Sequence, residues 1–213
     1  MGSRRIRTAL YNVLPGEKAH ELMAPRPKFI EGMEGIHPTP PINSAVLALI
    51  IPLENELAIP FIKRSNTGKY HAGQIALPGG KMEKSDANAL QTALRECHEE
   101  IGVPEEKISI LGVLSDIYIS LSNFNITPIV GTTLKLPDFQ PSADEVEKII
   151  LIKLSELFDD QNKTTSTFLR NNHEIVAPGY KIGEHFIWGA TAMIIAELEQ
   201  LMKSNTFNHL GKL

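Results

Sequence analysis

The segment from Leu77 to Val103 constrains this chain most. A Leu-Pro-Gly-Gly turn at 77–80 leads into a stretch of helical periodicity that carries Glu96, Glu99 and Glu100 and stops at Gly102. An α-helix advances about 100° per residue, so with Leu90 at zero, Leu94, Cys97 and Ile101 lie within about 40° of it. On the same wheel Glu96, Glu99 and Glu100 fall near about 240°, 180° and 280°. The spacing predicts a helix over about Ala87–Ile101, with an apolar stripe to bury and an acidic stripe turned toward water or a ligand. Asp86 is placed to cap or favour the helix N-terminus. Gly102 suits the left-handed position just past a helix end, and Pro104 stops continuation.

Three clustered glutamates are unfavourable on their own. The Glu96–Glu100 pair repels by roughly a few tenths of a kcal/mol, and carboxylates near a helix C-terminus oppose its dipole. A hard divalent cation reverses that sign, because Mg²⁺ takes oxygen ligands and shares its shell with waters and substrate phosphates. Arg95, four residues before Glu99, can orient a carboxylate. A solvated acidic face is the other reading of three glutamates alone. The accompanying Gly-Gly turn, Asp86, Arg95 and Gly102-Val103 favour the metal.

These residues resemble the Nudix box, Gly-x5-Glu-x7-Arg-Glu-U-x-Glu-Glu-x-Gly-U, in which U is bulky and apolar. Gly80 takes the first position, and Arg95, Glu96, Cys97, Glu99, Glu100, Gly102 and Val103 take the later ones. Asp86 stands where the first Glu is expected, eight residues rather than seven precede Arg95, and Cys97 is a small occupant of the apolar position. Upstream, Phe61-Ile-Lys-Arg-Ser65 and Tyr70-His-Ala-Gly-Gln-Ile-Ala-Leu-Pro-Gly-Gly80 are similar to the extra motif of the coenzyme A branch of Nudix hydrolases. That branch carries the one-residue-longer box with Asp in place of the first Glu, so both departures become matches. Similar segments continue at Phe124–Gly131, Asp144–Glu147 and Ile187–Ala192, so the resemblance spans roughly Ala45 to Met202.

The resemblance implies metal-dependent hydrolysis of a diphosphate linked to a nucleoside, with Mg²⁺ or Mn²⁺ as cofactor. The favoured substrate is coenzyme A or acyl-CoA, giving 4′-phosphopantetheine (or its acyl form) and adenosine 3′,5′-bisphosphate. Glu96 and Glu100 are the leading metal ligands, and Glu99 is a third ligand or a water-positioning base. Glu145, between Pro141 and an apolar run, is the candidate general base outside the box; a surface glutamate at a strand entrance is its alternative. Arg64, Ser65, His71, Gly73, Gln74, Gly79 and Gly80 form the expected substrate-binding set. Arg64 suits phosphate oxygens, while the glycines serve backbone turns. ADP-ribose, a dinucleotide or an oxidised nucleotide are rival substrates, and a non-catalytic Nudix-fold binding module is a rival of another class. Trp188 and Phe186 can line a base-stacking wall or belong to the core.

The remaining sequence bounds the answer. The chain has 213 residues, enough for one domain over 1–213, with a core of about 44–202 and an N-terminal lead-in over 1–41. A formal net charge of −4 gives no electrostatic support to nucleic-acid binding. Cys97 is the only cysteine; its place on the apolar stripe points to packing, and the absence of a disulfide partner suits a reducing cytoplasm. No apolar run is long enough to span a membrane, no signal-type segment is evident, and a homo-oligomer is left open. Expected strands are Ala45–Ile51 and Leu57–Ile62, joined as a hairpin across 54–56. Further strands are expected over Gln74–Leu77, Ile108–Leu114, Asn125–Val130, Glu147–Leu154 and His185–Trp188. Ser155 is expected to cap a short helix, and Thr191–Met202 to form a closing helix. Strands on both sides of a central helix fit an α/β/α sandwich, and the resemblance implies the Nudix fold with a mixed central sheet.

Overall fold

The structure is a computed structural model and describes residues 2–10, 13–26, 39–65, 73–170 and 173–204. In chain order the helices are α1 (Gly2–Leu10), α2 (Glu17–His20), α3 (Ala89–Ile101), α4 (Leu154–Leu157) and α5 (Gly189–Ser204). The strands are β1 (Ile42–Leu53), β2 (Glu56–Arg64), β3 (Ile75–Ala76), β4 (Gly79–Lys81), β5 (Ser109–Val113), β6 (Ile117–Ile119) and β7 (Phe124–Thr132). They continue with β8 (Val146–Lys153), β9 (Lys163–Arg170), β10 (His173–Ile182) and β11 (His185–Trp188).

The main sheet runs β3-β2-β1-β7-β5, with β4 also on β1, β6 on β7 and β8 on β2. It is mixed: β1 and β7 are parallel, with Ala45 opposite Thr127, while β1 and β2 form the expected antiparallel hairpin, with Leu53 opposite Glu56. A second antiparallel sheet runs β11-β10-β9.

Helices on both faces of the main sheet explain why β1 reads as an unbroken apolar run. Ala45, Leu47, Leu49 and Ile51 pack against Ala93, Cys97 and Ile101 of α3. The alternate residues Ala48 and Ile50 join the opposite core, with Ile6 and Leu10 of α1 and Ile194, Ile195 and Leu198 of α5. Each fully buried Leu or Ile contributes about 1.5–3 kcal/mol, so neither face can be exposed cheaply. The result is the α/β/α sandwich.

Several expectations change. The helical face that buries is centred on Ala93, Cys97 and Ile101, with Leu90 and Leu94 only partly covered, so it is rotated toward Glu100. Helix α3 starts at Ala89 because Asn88, not Asp86, is the cap: its side chain accepts from the Gln91 N–H. Its end is as expected, with Gly102 at φ 73° and its N–H on the His98 carbonyl. Gln74–Leu77 shortens to β3, with Pro78 separating it from β4. Helix α4 begins one residue before Ser155, and the Ser155 hydroxyl bonds Glu56 instead of capping.

The described helices of the N-terminal lead-in, α1 and α2, are built into the core. Glu197 of α5 is fully buried and accepts from His20 Nε2 at 2.9 Å, Gly16 N at 3.0 Å and Ser115 Oγ at 2.7 Å. A buried carboxylate is tolerable only with such partners, and these hold its pKa below the ordinary value against the upward push of burial. Among the described residues no helix is long and apolar enough to cross a membrane.

Candidate active site

The site lies where β2 ends, β4 begins, α3 presents its second half and the 140–146 segment crosses the helix end. Arg95 is its organising cation. Its guanidinium donates to Asp86 through Nε (3.1 Å) and Nη2 (3.0 Å), to Glu96 Oε1 and Glu99 Oε2 through Nη1 (2.8 Å each), and to the Lys81 carbonyl (3.0 Å). Asp86 also accepts from the Glu83 N–H at 2.9 Å and the Thr92 hydroxyl at 3.0 Å. The Arg95 hydrogen bonds, then the Glu83 N–H, hold the Asp86 carboxyl down at about 2. Asp86 is thus the anchor of Arg95, a role that the spacing between them does not suggest.

The three glutamates of the box have different surroundings. Glu99 is half exposed, Glu96 is mostly covered, and Glu100 is only 1 % exposed. Glu100 is thus turned away from water, whereas Glu99 on the same stripe is not. Its Oε2 accepts the Gly79 N–H at 2.8 Å and its Oε1 lies 3.5 Å from Arg64 Nη2. Burial pushes its pKa up to about 7, opposed by Arg64 and the Gly79 N–H and reinforced by the nearby Glu96 and Glu145 carboxylates. Burial also raises Glu96, against the pull of Arg95. Cys97, wholly buried behind them, is pushed up to about 12 by burial and then by Glu100, which suits packing and not nucleophilic chemistry.

Two backbone features shape the site. A Cβ at Gly80 would run into the Glu96 carboxylate, so only glycine lets that carboxylate lie flat against the turn. The 140–146 segment is pinned to the end of α3 by Gln140 N on the Ile101 carbonyl (3.0 Å) and Ser142 N on the Glu100 carbonyl (3.0 Å). That pinning brings the exposed Glu145 near enough to push Glu96 and Glu100 up. Arg64 Nη2 donates to the Gly79 carbonyl at 2.9 Å, and Ser65 bonds the 144–145 backbone. Gly73 and Gln74 bond the Arg64 backbone, Gly73 N on its carbonyl and Gln74 O on its N–H. His71 lies outside the described residues.

The donors fit a hard divalent cation: carboxylates, backbone oxygens and two buried acids whose charge is under-compensated. As arranged, no three acidic, histidine or cysteine side chains among the described residues form a ready cation site, and Arg95 takes one oxygen each of Glu96 and Glu99. Each carboxylate keeps its other oxygen, Glu96 Oε2 and Glu99 Oε1, for a cation while Arg95 holds it. Clefts also occur among the described residues away from Glu96 and Glu100. One of about 460 Å³ sits between β9, β10 and α5, where Lys163 and Lys203 are both paired with Glu199. One of about 340 Å³ borders Arg95 and His98 on the outer side of α3. Trp188 stacks on Phe168 at 4.8 Å, and Phe186 lies 5.9 Å from the same ring, forming a half-buried aromatic cluster on the second sheet.

A mixed sheet between helical layers, with a glycine turn feeding an acidic helix packed on its face, defines a Nudix-type hydrolase. Residues 42–171 match the NUDIX domain, and the chain belongs to that family. An uncharacterized Nudix hydrolase NudL of Pectobacterium atrosepticum is 36% identical over 144 residues, covering 64% of this chain and 70% of that protein. The NudL of Enterobacter sp. strain 638 is 33% identical over 161 residues, covering 74% and 82%. Among solved structures, a MutT/nudix family protein from Enterococcus faecalis aligns with TM-score 0.54 at 17% identity, over 78% of this chain and 63% of that one. The MutT protein from Methanosarcina mazei Go1 aligns with TM-score 0.52 at 16% identity, over 79% and 98%. The two structures speak for the fold alone.

Proposed function

We propose that this hydrolase cleaves the diphosphate of coenzyme A or an acyl-CoA, releasing 4′-phosphopantetheine or its acyl form and adenosine 3′,5′-bisphosphate. The supporting observation is the junction of the box with the upstream motif. Arg64 touches both Glu100 and the Gly79 carbonyl, so the Arg-Ser pair and the acidic helix form one site. The Asp86–Arg95 pairing further gives the longer box a physical purpose, since Asp86 anchors the arginine that holds Glu96 and Glu99.

Glu96 and Glu100 would hold Mg²⁺ or Mn²⁺, with Glu99 as a third ligand or water-positioning group. The metal, when bound, supplies charge neutralisation for the diphosphate and a lowered pKa for water. The chain does the rest by placement, which is most of what phosphoryl chemistry needs. Arg95 keeps Glu96 and Glu99 together, and Gly79 N–H orients Glu100. Glu145 receives a proton from the attacking water at its exposed carboxylate. Arg64, with the backbone at Gly73, Gln74, Gly79 and Gly80, forms the phosphate-binding side, and the resemblance alone adds His71 to that set. A cytoplasmic setting suits both the substrate and the lone cysteine.

The test is a substrate panel with Mg²⁺ or Mn²⁺, with products read by mass. Cleavage of coenzyme A to the two named products is expected. Cleavage of ADP-ribose or dinucleotides without coenzyme A would move the activity to another Nudix substrate. Tight ligand binding without any cleavage would make the chain a binding module.

A further inference from the structure

We infer that Arg64-Ser65 is a clamp that sets Glu145 against Glu100, and that Ser65 is a positioning residue acting through the 142–146 turn and not through substrate. The inference rests on the reading above in taking Glu145 as the proton acceptor. At the end of β2 the pairing with β8 slips: Lys63 faces Lys148 but Arg64 faces Val146. Such an irregularity bends a strand and re-aims its side chains. Beyond it, two adjacent residues grip two different acid-bearing segments. Arg64 bonds the Gly79 carbonyl and pairs with Glu100, while Ser65 N–H donates to the Glu145 carbonyl at 2.9 Å and Ser65 Oγ to the Asp144 carbonyl at 2.8 Å.

The far side of the turn is held independently. Ser142 N bonds the Glu100 carbonyl, and Glu145 N and Val146 N both return to the Ser142 carbonyl at 3.3 and 2.9 Å. The Glu145 residue is exposed, so its position is set largely by its backbone. The Ser65 hydroxyl donates to the Asp144 carbonyl, which can only accept. A hydroxyl oriented this way fixes the turn that carries the base.

The experiment compares Ser65→Ala, Ser65→Thr, Glu145→Gln and the Ser65→Ala/Glu145→Gln double variant, using the substrate identified by the panel. Ser65→Ala is expected to lower kcat about tenfold with KM unchanged, as a displaced catalytic group would. Ser65→Thr, which keeps the hydroxyl, is expected to restore most of the loss. The double variant is expected to be no slower than Glu145→Gln alone. Amide hydrogen exchange at Glu145 and Val146 is expected to quicken in Ser65→Ala without a change elsewhere in β8. A rise in KM at constant kcat would make Ser65 a substrate contact and overturn the inference; so would independent, multiplicative losses in the double variant, or unchanged exchange. If the chain cleaves nothing in the panel, the functional reading fails while the exchange comparison still decides the clamp. If Ser65→Ala does not fold, Ser65→Cys, a much weaker donor of similar size, carries the same comparison.

Discussion

Replacing Asp86 with Asn isolates the pair that holds the box together. Asp86 accepts four hydrogen bonds, two of them from Arg95, and its side chain is 5% exposed. Its pKa falls from 3.8 to about 2. At about 1.36 kcal/mol per pKa unit, the charged form is favoured by the fold by at most about 2 kcal/mol. Arg95 is partly open to water, so screening leaves about half of that, about 1 kcal/mol, as the expected loss in Asp86→Asn at pH 7. The sign follows from a depressed pKa. The contribution is complete above the unfolded value near 4 and disappears as pH falls through the folded value near 2. At pH 3 slightly over half should remain, and at pH 2 about one sixth. Urea unfolding of both proteins at pH 7, 3 and 2 reads this directly, and the difference between them should shrink in that order. A difference that stayed constant from pH 7 to pH 2 would show that the Asp86 charge does not carry the effect. A difference near zero at pH 7 would show that Arg95 is held without it.

Glu100→Gln keeps an acceptor for the Gly79 N–H but removes a charge, so turnover at saturating Mg²⁺ should fall by at least about 100-fold while the thermal midpoint holds; near-normal turnover would refute the ligand role. Gly80→Ala places a methyl group against the Glu96 carboxylate; Mn²⁺ affinity, read by paramagnetic resonance, should weaken about tenfold or more, and unchanged affinity would remove Glu96 from the metal site. Glu197→Ala strips the partner from His20, Gly16 and Ser115 at once. A loss of about 3 kcal/mol, or roughly 6–12 °C in the midpoint, is expected by calorimetry. A loss below about 1 kcal/mol would mean that the N-terminal helices are held by apolar packing alone.

The features legible in the sequence are those decided by near neighbours. β1 begins just after Pro41, and the β1–β2 hairpin is set by its short polar turn. The end of α3 is set by Gly102, whose freedom at positive φ is intrinsic. The acidic set and Arg95 were visible because an i, i+4 spacing is a property of the helix itself. Strands β9 and β10 escaped notice because Lys163–Arg170 is polar along most of its length and is stabilised by pairing, with Thr164 opposite Gly179 and Phe168 opposite Ile175, not by alternation. How the lead-in docks is not legible in the sequence, because Glu197, which anchors it, lies at the other end of the chain.

Partner choice and burial were left to the tertiary structure. A helical wheel places Glu96, Glu99 and Glu100 on one stripe and cannot say that β4 closes over Glu100 and leaves Glu99 in water. It offers Asp86 as a cap, whereas the folded turn at 83–86 carries that carboxylate to Arg95 and leaves capping to Asn88. The order of residues determined that an acidic helix follows a glycine turn. Long-range backbone pairing decided which carboxylate is desolvated, which is held by arginine and which loop faces them. Hydrogen bonding and burial depend on separation in space, and separation along the chain does not encode it.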